Sequence, residues 1–193
     1  MEPDPPRKVW TYDDLVALGA YEDGQKYEIF DGELVVSPGP QLRHQRISAN
    51  LAAILRRELQ DRRIAEVLST PFDVILGPSR VVMPDFLVVA AARRSILQKH
   101  AAVGAPDIVI EILSPSNAKH DRVRKRRFYA RAKIREYWIV DPESDTVEVL
   151  ALVDGGLSYR QVGFYASDER LRSTVFELDL DVGEVFALPF DDA

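Results

Sequence analysis

Two carboxylates stand alone in otherwise apolar, strand-forming runs. Asp107-Ile-Val-Ile-Glu-Ile-Leu113 is continuously apolar from Ile108 except at Glu111, and Val81-Val-Met-Pro-Asp-Phe-Leu-Val-Val89 carries Asp85 as its only charge. A continuous apolar strand is ordinarily buried on both faces, so both acids belong in a core or at a cleft cut into one. An ionised carboxylate costs several kcal/mol to bury unpaired and therefore requires a cation, a metal ion or a proton. Taken singly, either acid is explained as well by a neighbouring arginine or backbone amides as by a function, because structural ion pairs also perturb acids. Taken together they form a constellation.

Lys125 is its third member. At about 100° per residue on a helix following Asn117, Asp121, Lys125, Phe128, Tyr129 and Ala132 share one face, while Arg126, Arg127 and Arg131 point elsewhere. A snorkelling lysine paired with Asp121 would account for Lys125 alone. Beside two buried acids it becomes a candidate functional cation. Hard divalent cations such as Mg²⁺ or Mn²⁺ take oxygen ligands and retain waters, so one Asp, one Glu and a strand-end carbonyl suffice for a site. A nearby lysine can orient a water or neutralise charge on a phosphorane-like transition state. Such a set performs phosphodiester hydrolysis.

The elements that must position these residues follow from pattern. Residues 11–18 open on a Thr/Asp cap and read as a short helix after a Pro-rich leader over residues 1–10. Tyr27 to Val36 reads as a β-hairpin turning at Asp31-Gly32. From Gln41 to Arg62, Ile47, Leu51, Ile54, Leu55 and Leu59 recur at helical spacing, a stripe that should lie on a sheet. Strands are expected at Val67 to Leu76, Val81 to Ala90 and Asp107 to Leu113, with a short helix near Arg93 to His100. Pro84, unable to donate a ladder hydrogen bond, implies an edge or a bulge. A helix to about Ala132, a strand at Glu136 to Val140, and two strands at Thr146 to Leu152 and Leu157 to Tyr165 complete the chain. The expected class is α/β: a mixed central sheet flanked by helices, with an N-terminal hairpin and an antiparallel C-terminal extension over residues 143–193.

Composition bounds the remaining possibilities. The chain has 193 residues, enough for one well-buried domain, and no cysteine, which excludes a disulfide scaffold, a thiol nucleophile and a thiolate metal site. No apolar run approaches the ~20 residues of a membrane span. The N-terminus has no signal-peptide pattern. The expectation is a soluble, cytoplasmic protein. The net charge of −6 is uneven: residues 119–135 carry +8 and the remainder −14. Arg122, Arg124, Arg126, Arg127 and Arg131 therefore form either a phosphate track for DNA or a solvated helix face. His44, at the start of the long helix, either assists proton transfer or caps and packs. His100 and His120 lie in polar surroundings.

The order Pro84-Asp85, Glu111 within IVIEILSPS, then Asp121, Lys125 and Tyr129, then EYWIVDP resembles the Uma-two-type endonuclease family. That family is restriction-endonuclease-like and belongs to the PD-(D/E)XK superfamily. The resemblance runs from about Tyr27 to Pro142 and extends to YEIFDGELVVSP, to His44 and to GAPDIVIEILSPSN at Gly104 to Asn117. In the superfamily the lysine usually follows the acid by two residues, a position held here by Leu113. The resemblance implies that its role has moved to Lys125 and that Glu28 is an accessory acid. It further implies metal-dependent cleavage of DNA, with Mg²⁺ or Mn²⁺ held by Asp85 and Glu111. Two other expectations keep the same residues without the catalysis. One is a nucleic-acid- or protein-binding module with a neutralised core triad. The other is a homo-oligomeric scaffold, such as a homodimer, pairing through Thr146 to Tyr165.

Overall fold

The computed structural model describes residues 8–19, 24–114 and 118–188, with side chains omitted for 118–121. The side chains of Asp121 and His120 and most of the Pro-rich leader thus lie outside the described residues. The hairpin forms as its sequence predicts: β1 (Lys26–Phe30) and β2 (Glu33–Ser37) pair antiparallel with Phe30 opposite Glu33. Asp31 and Gly32 between them have φ of 51° and 87°, which suits the twist of a two-residue turn. A Cβ on Gly32 would also fall 2.6 Å from Val9 Cγ1. The short helix α1 (Tyr12–Leu18) is closed by a capping box between Thr11 and Asp14.

The long amphipathic helix is α2 (Leu42–Leu55), continued by a π-helical turn at Arg56–Gln60, and all five residues of its predicted stripe are buried. Two of the expected strands each divide. Val67 to Leu76 becomes β3 (Ala65–Ser69) and β4 (Asp73–Gly77), and Val81 to Ala90 becomes β5 (Arg80–Val82) and β6 (Phe86–Ala90). Both breaks fall at a proline, Pro71 and Pro84, where the backbone has no N–H for a ladder. Pro84 therefore marks neither an edge nor a bulge. It marks a crossing between sheets.

Instead of a helix near Arg93 to His100 there is a 3₁₀ turn at Ala91–Ile96, followed by the unforeseen strand β7 (Ala101–Val103). The chain continues through β8 (Ile108–Ile112), α3 (Ala118–Arg131), β9 (Glu136–Asp141), β10 (Thr146–Leu152) and β11 (Tyr159–Ala166). It ends with β12 (Arg170–Arg172), β13 (Asp179–Asp181) and α4 (Val182–Phe186).

The strands assemble into a five-stranded sheet ordered β2-β1-β5-β4-β7 and a six-stranded sheet ordered β11-β10-β9-β8-β6-β3. Parallel pairs, β4–β7 and β8–β9, make both sheets mixed. The C-terminal strands extend the six-stranded sheet, since β10 pairs with β9 over six residues, and only β12–β13 forms a separate ribbon.

Strand alternation then divides the core. Ile108, Ile110 and Ile112 of β8, Phe86 and Val88 of β6, and Trp138 and Val140 of β9 join the apolar stripe of α2 and the C-terminal segment. Val109, Leu87, Val89, Tyr137 and Ile139, on the opposite face, join Phe128 and Tyr129 of α3 and Val74 and Val82 of the smaller sheet. The six-stranded sheet is covered on both sides, as continuous apolar strands require. Glu111 shares its parity with Val109, so its side chain enters the second layer, between α3 and the smaller sheet.

Candidate active site

Three carboxylates and two ammonium groups meet where the chain crosses between the sheets. β8 contributes Glu111, the Met83–Asp85 crossing contributes Asp85, and α3 contributes Lys125. β1 contributes Lys26 and Glu28, which lie on one strand face because they are two residues apart. Glu28, Asp85, Glu111 and Lys125 are buried. The Lys26 side chain keeps 19% of its surface. The cluster lines a cavity of about 420 Å³ whose wall also includes His44, Thr70 and Pro71. A second cavity of about 360 Å³, lined by Arg43 and Asp141 among others, shares Gln41, His44, Leu113 and Ser114 with it.

The contacts assign each acid a different environment. Asp85 Oδ2 accepts the Ile112 N–H at 2.7 Å and lies 3.2 Å from His44 Nε2, while Oδ1 is 3.8 Å from Lys26 Nζ. Burial raises the Asp85 pKa, but Lys26, His44 and the amide together hold it well below the usual carboxylate range. Glu111 Oε1 accepts the Tyr129 hydroxyl at 2.5 Å; Oε2 lies 3.1 Å from Lys125 Nζ and 3.4 Å from Lys26 Nζ. Here burial prevails and the pKa is raised, with Asp85 and Glu28 adding to it against the two lysines. Glu28 Oε2 is 3.5 Å from Lys125, and its Oε1 accepts the Met83 N–H at 3.2 Å. Burial opposes the charge on Lys26, yet Glu111, Glu28 and Asp85 raise its pKa. Burial and the neighbouring acids push the Tyr129 hydroxyl far up, so it stays a hydrogen-bond donor.

The structure thus brings together Asp85, Glu111, Lys125, Glu28, His44 and Tyr129. The Asp85 and Glu111 oxygens facing Lys26 are separated by no more than the two Nζ distances combined, within the ~8 Å that two oxygen ligands at ~2.0–2.6 Å from one ion together with side-chain mobility can span. His44 does not cap its helix, whose N-cap is Gln41. Its Nε2 faces Asp85, and its buried Nδ1 has no hydrogen-bond partner among the described residues.

The arginine array lies apart from this cluster and is largely engaged within the protein. Arg122 bridges Asp141 and Glu148, and Arg126 donates to the Tyr159 carbonyl. Arg124 pairs with Glu33 and lies over the Phe30 ring, and Arg131 pairs with Asp31. Arg127 is exposed and has no ion pair among the described residues. Four of the five arginines therefore do not form a free phosphate track in this conformation. Two of them tie α3 to the hairpin that carries Lys26 and Glu28.

Lys26 is the member that sequence reasoning missed. The only available signal was local: a lysine two residues before an acid on a strand must share that acid's face.

The donor set suits a hard cation. Two carboxylate oxygens converge on one positive charge at a cavity with room for water, which fits Mg²⁺ or Mn²⁺ with most ligands supplied by solvent. Among the described residues no three His, Cys, Asp or Glu side chains form a protein-only metal cage.

The Uma2 family model, described as "Putative restriction endonuclease", matches residues 12–183. An uncharacterized protein of Synechocystis sp. is 30% identical over 118 residues, 61% of this chain and 67% of the relative. A second from the same organism is 27% identical over 161 residues, covering 82% and 83%. A crystal structure from Anabaena variabilis, titled as a "putative nuclease belonging to DUF820", superposes with a TM-score of 0.76 at 21% identity, over 92% of this chain and 97% of that one. The fold is accordingly the mixed α/β, restriction-endonuclease-like one.

Proposed function

The chain belongs to the Uma2 family, and from that premise we propose that it is a divalent-metal-dependent endonuclease that hydrolyses phosphodiester bonds of DNA. The observation that carries this reading is the convergence of Asp85 and Glu111 on a single cationic position in a cavity of about 420 Å³, with Lys125 against Glu111. Asp85 and Glu111 would hold Mg²⁺ or Mn²⁺. A bound ion there would supply Lewis-acid polarisation of the phosphate and a more acidic water.

The chain's own groups do the rest. Asp85 is held ionised by His44, Lys26 and the Ile112 amide, so it is ready as an oxygen ligand at neutral pH. Glu111 is held in register by Tyr129 and Lys125. The Lys125 ammonium, fixed between Glu28 and Glu111, offers positive charge to a phosphoryl oxygen as negative charge builds on it. Glu28 supports Lys125 from the wall of the same cavity. His44 lines both cavities with its Nε2 3.2 Å from Asp85, so a group able to exchange a proton stands beside that carboxylate.

The same two lysines also favour a second reading, a nuclease-fold binding module whose acids are neutralised internally. One experiment separates them: Mn²⁺-dependent cleavage of supercoiled, linear and single-stranded DNA by wild type and by Asp85→Asn. Cleavage that needs Mn²⁺ and falls about 100-fold or more in Asp85→Asn supports the endonuclease. Absence of cleavage together with no Mn²⁺-induced thermal shift selects the silent module.

A further inference from the structure

The Lys26 ammonium is arranged unlike the other cation of the cluster. Lys125 is enclosed, with 5% of its side chain exposed, and contacts Glu28 and Glu111. Lys26 stands between Asp85 and Glu111, 3.8 Å and 3.4 Å from the two oxygens that an ion bridging these acids would use, and keeps 19% exposure on the cavity. Three carboxylates against two ammonium groups leave the cluster with one uncompensated negative charge. Without Lys26 the deficit would be two. A divalent cation at this position would bring the cluster to a net positive charge unless Lys26 withdrew, and repulsion between the ion and the adjacent ammonium is strong at low dielectric.

We infer that Lys26 is a placeholder cation: its ammonium occupies the metal position in the metal-free protein and must swing into the cavity for Mg²⁺ or Mn²⁺ to bind. This inference rests on the metal-dependent reading above. It extends that reading by assigning Lys26 a positioning role in which it competes with the metal and holds the carboxylates together until the metal arrives. A long, flexible side chain on a strand bordering the cavity can leave without moving the backbone. Lys125 also lines the cavity but is far less exposed and is held by two acids. Metal affinity is thereby weakened by a competing internal charge, and the cluster avoids a second uncompensated negative charge while no metal is bound.

The test compares full-length, EDTA-stripped wild type with Lys26→Met by Mn²⁺ titration calorimetry and thermal melts. The placeholder predicts Mn²⁺ binding at least about tenfold tighter in Lys26→Met, since the competing charge is gone. It also predicts a lower melting temperature in EDTA and a larger Mn²⁺-induced rise than in wild type. A second measurement on wild type alone guards against a variant that does not fold. Amine acylation followed by peptide mass spectrometry should label Lys26 severalfold faster with Mn²⁺ than without, while Lys125 stays protected. Equal or weaker Mn²⁺ binding by Lys26→Met, or unchanged labelling of Lys26 when Mn²⁺ is bound, overturns the placeholder and leaves the metal site standing. Absence of Mn²⁺ binding in both proteins overturns the metal site and the placeholder with it.

Discussion

Glu111 shows how a single carboxylate can be costly to the fold and still be retained. It is buried, its pKa is raised chiefly by desolvation, and it is the third negative charge facing only two lysines. Replacing it with Gln removes the excess charge, keeps a carbonyl oxygen for the Tyr129 hydroxyl, and leaves Lys26 facing Asp85 and Lys125 facing Glu28. Glu111→Gln should therefore lose divalent-metal binding while its melting temperature in EDTA stays within a few degrees of wild type or rises. Metal affinity and stability would move in opposite directions. A strongly destabilised Glu111→Gln protein, measured by thermal melts beside Mn²⁺ titration, would show that the carboxylate is a structural anchor for the two ammonium groups. The two lone acids were legible in the sequence because a charge inside an apolar strand stands out against its neighbours. Beyond sharing a strand face with Glu28, Lys26 was not legible, because a lysine at a strand start looks like any solvated residue until the fold brings it to 3.4 Å from Glu111.

At the scale of elements, sequence periodicity located α2, the hairpin, β8 and β9, where each element supplies its own pattern. It failed where the chain passes between layers. The Val67 to Leu76 and Val81 to Ala90 runs are apolar on both sides of short polar breaks at Ser69-Thr70-Pro71 and Pro84-Asp85, and such breaks do not tell which sheet the chain enters next. The prolines did mark them, but a proline signals a missing donor and not which sheet comes next. These crossings build the site, since Asp85 follows Pro84 directly and its carbonyl accepts the Thr70 N–H at 3.1 Å. The hairpin is held against α3 by Arg124 with Glu33 and Arg131 with Asp31, both at the surface. Exposed pairs contribute about 0–1 kcal/mol each, so the Arg124→Ala/Arg131→Ala double variant should lose at most about 2 kcal/mol of global stability. Its more telling effect should be local: faster amide hydrogen exchange in β1 and β2 with unchanged exchange in β8 and β9. Uniformly unchanged exchange would mean that the Phe30–Phe128 edge contact, with centroids 4.9 Å apart, holds the hairpin without the arginines.

At the scale of the whole molecule, charge is segregated along the chain but much of it is neutralised in space. Residues 119–135 carry +8, yet Arg122, Arg124 and Arg131 are spent on Asp141, Glu148, Glu33 and Asp31, and Arg135 on the buried Asp107. The outer face of α3 borders a cavity of about 600 Å³ whose wall includes the exposed apolar side chains of Val123, Leu157 and Phe164. A surface built this way offers few free cations to a phosphate backbone. Each phosphate neutralised by a protein cation contributes about −0.9 to the slope of log K against log salt for duplex DNA, so binding that leaves these ion pairs closed should have a slope of only about −1 to −2. Arg127, exposed and unpaired among the described residues, is the member of the array expected to matter, and Arg127→Ala should reduce the slope by about 0.9 if it touches phosphate. Arg126→Ala should leave the slope unchanged and cost only the hydrogen bond to Tyr159. Fluorescence anisotropy on duplex DNA across a salt series checks all three values. A wild-type slope of about −4 or steeper would show that the arginines exchange their carboxylate partners for phosphates on binding, so that the closed ion pairs describe only the DNA-free state.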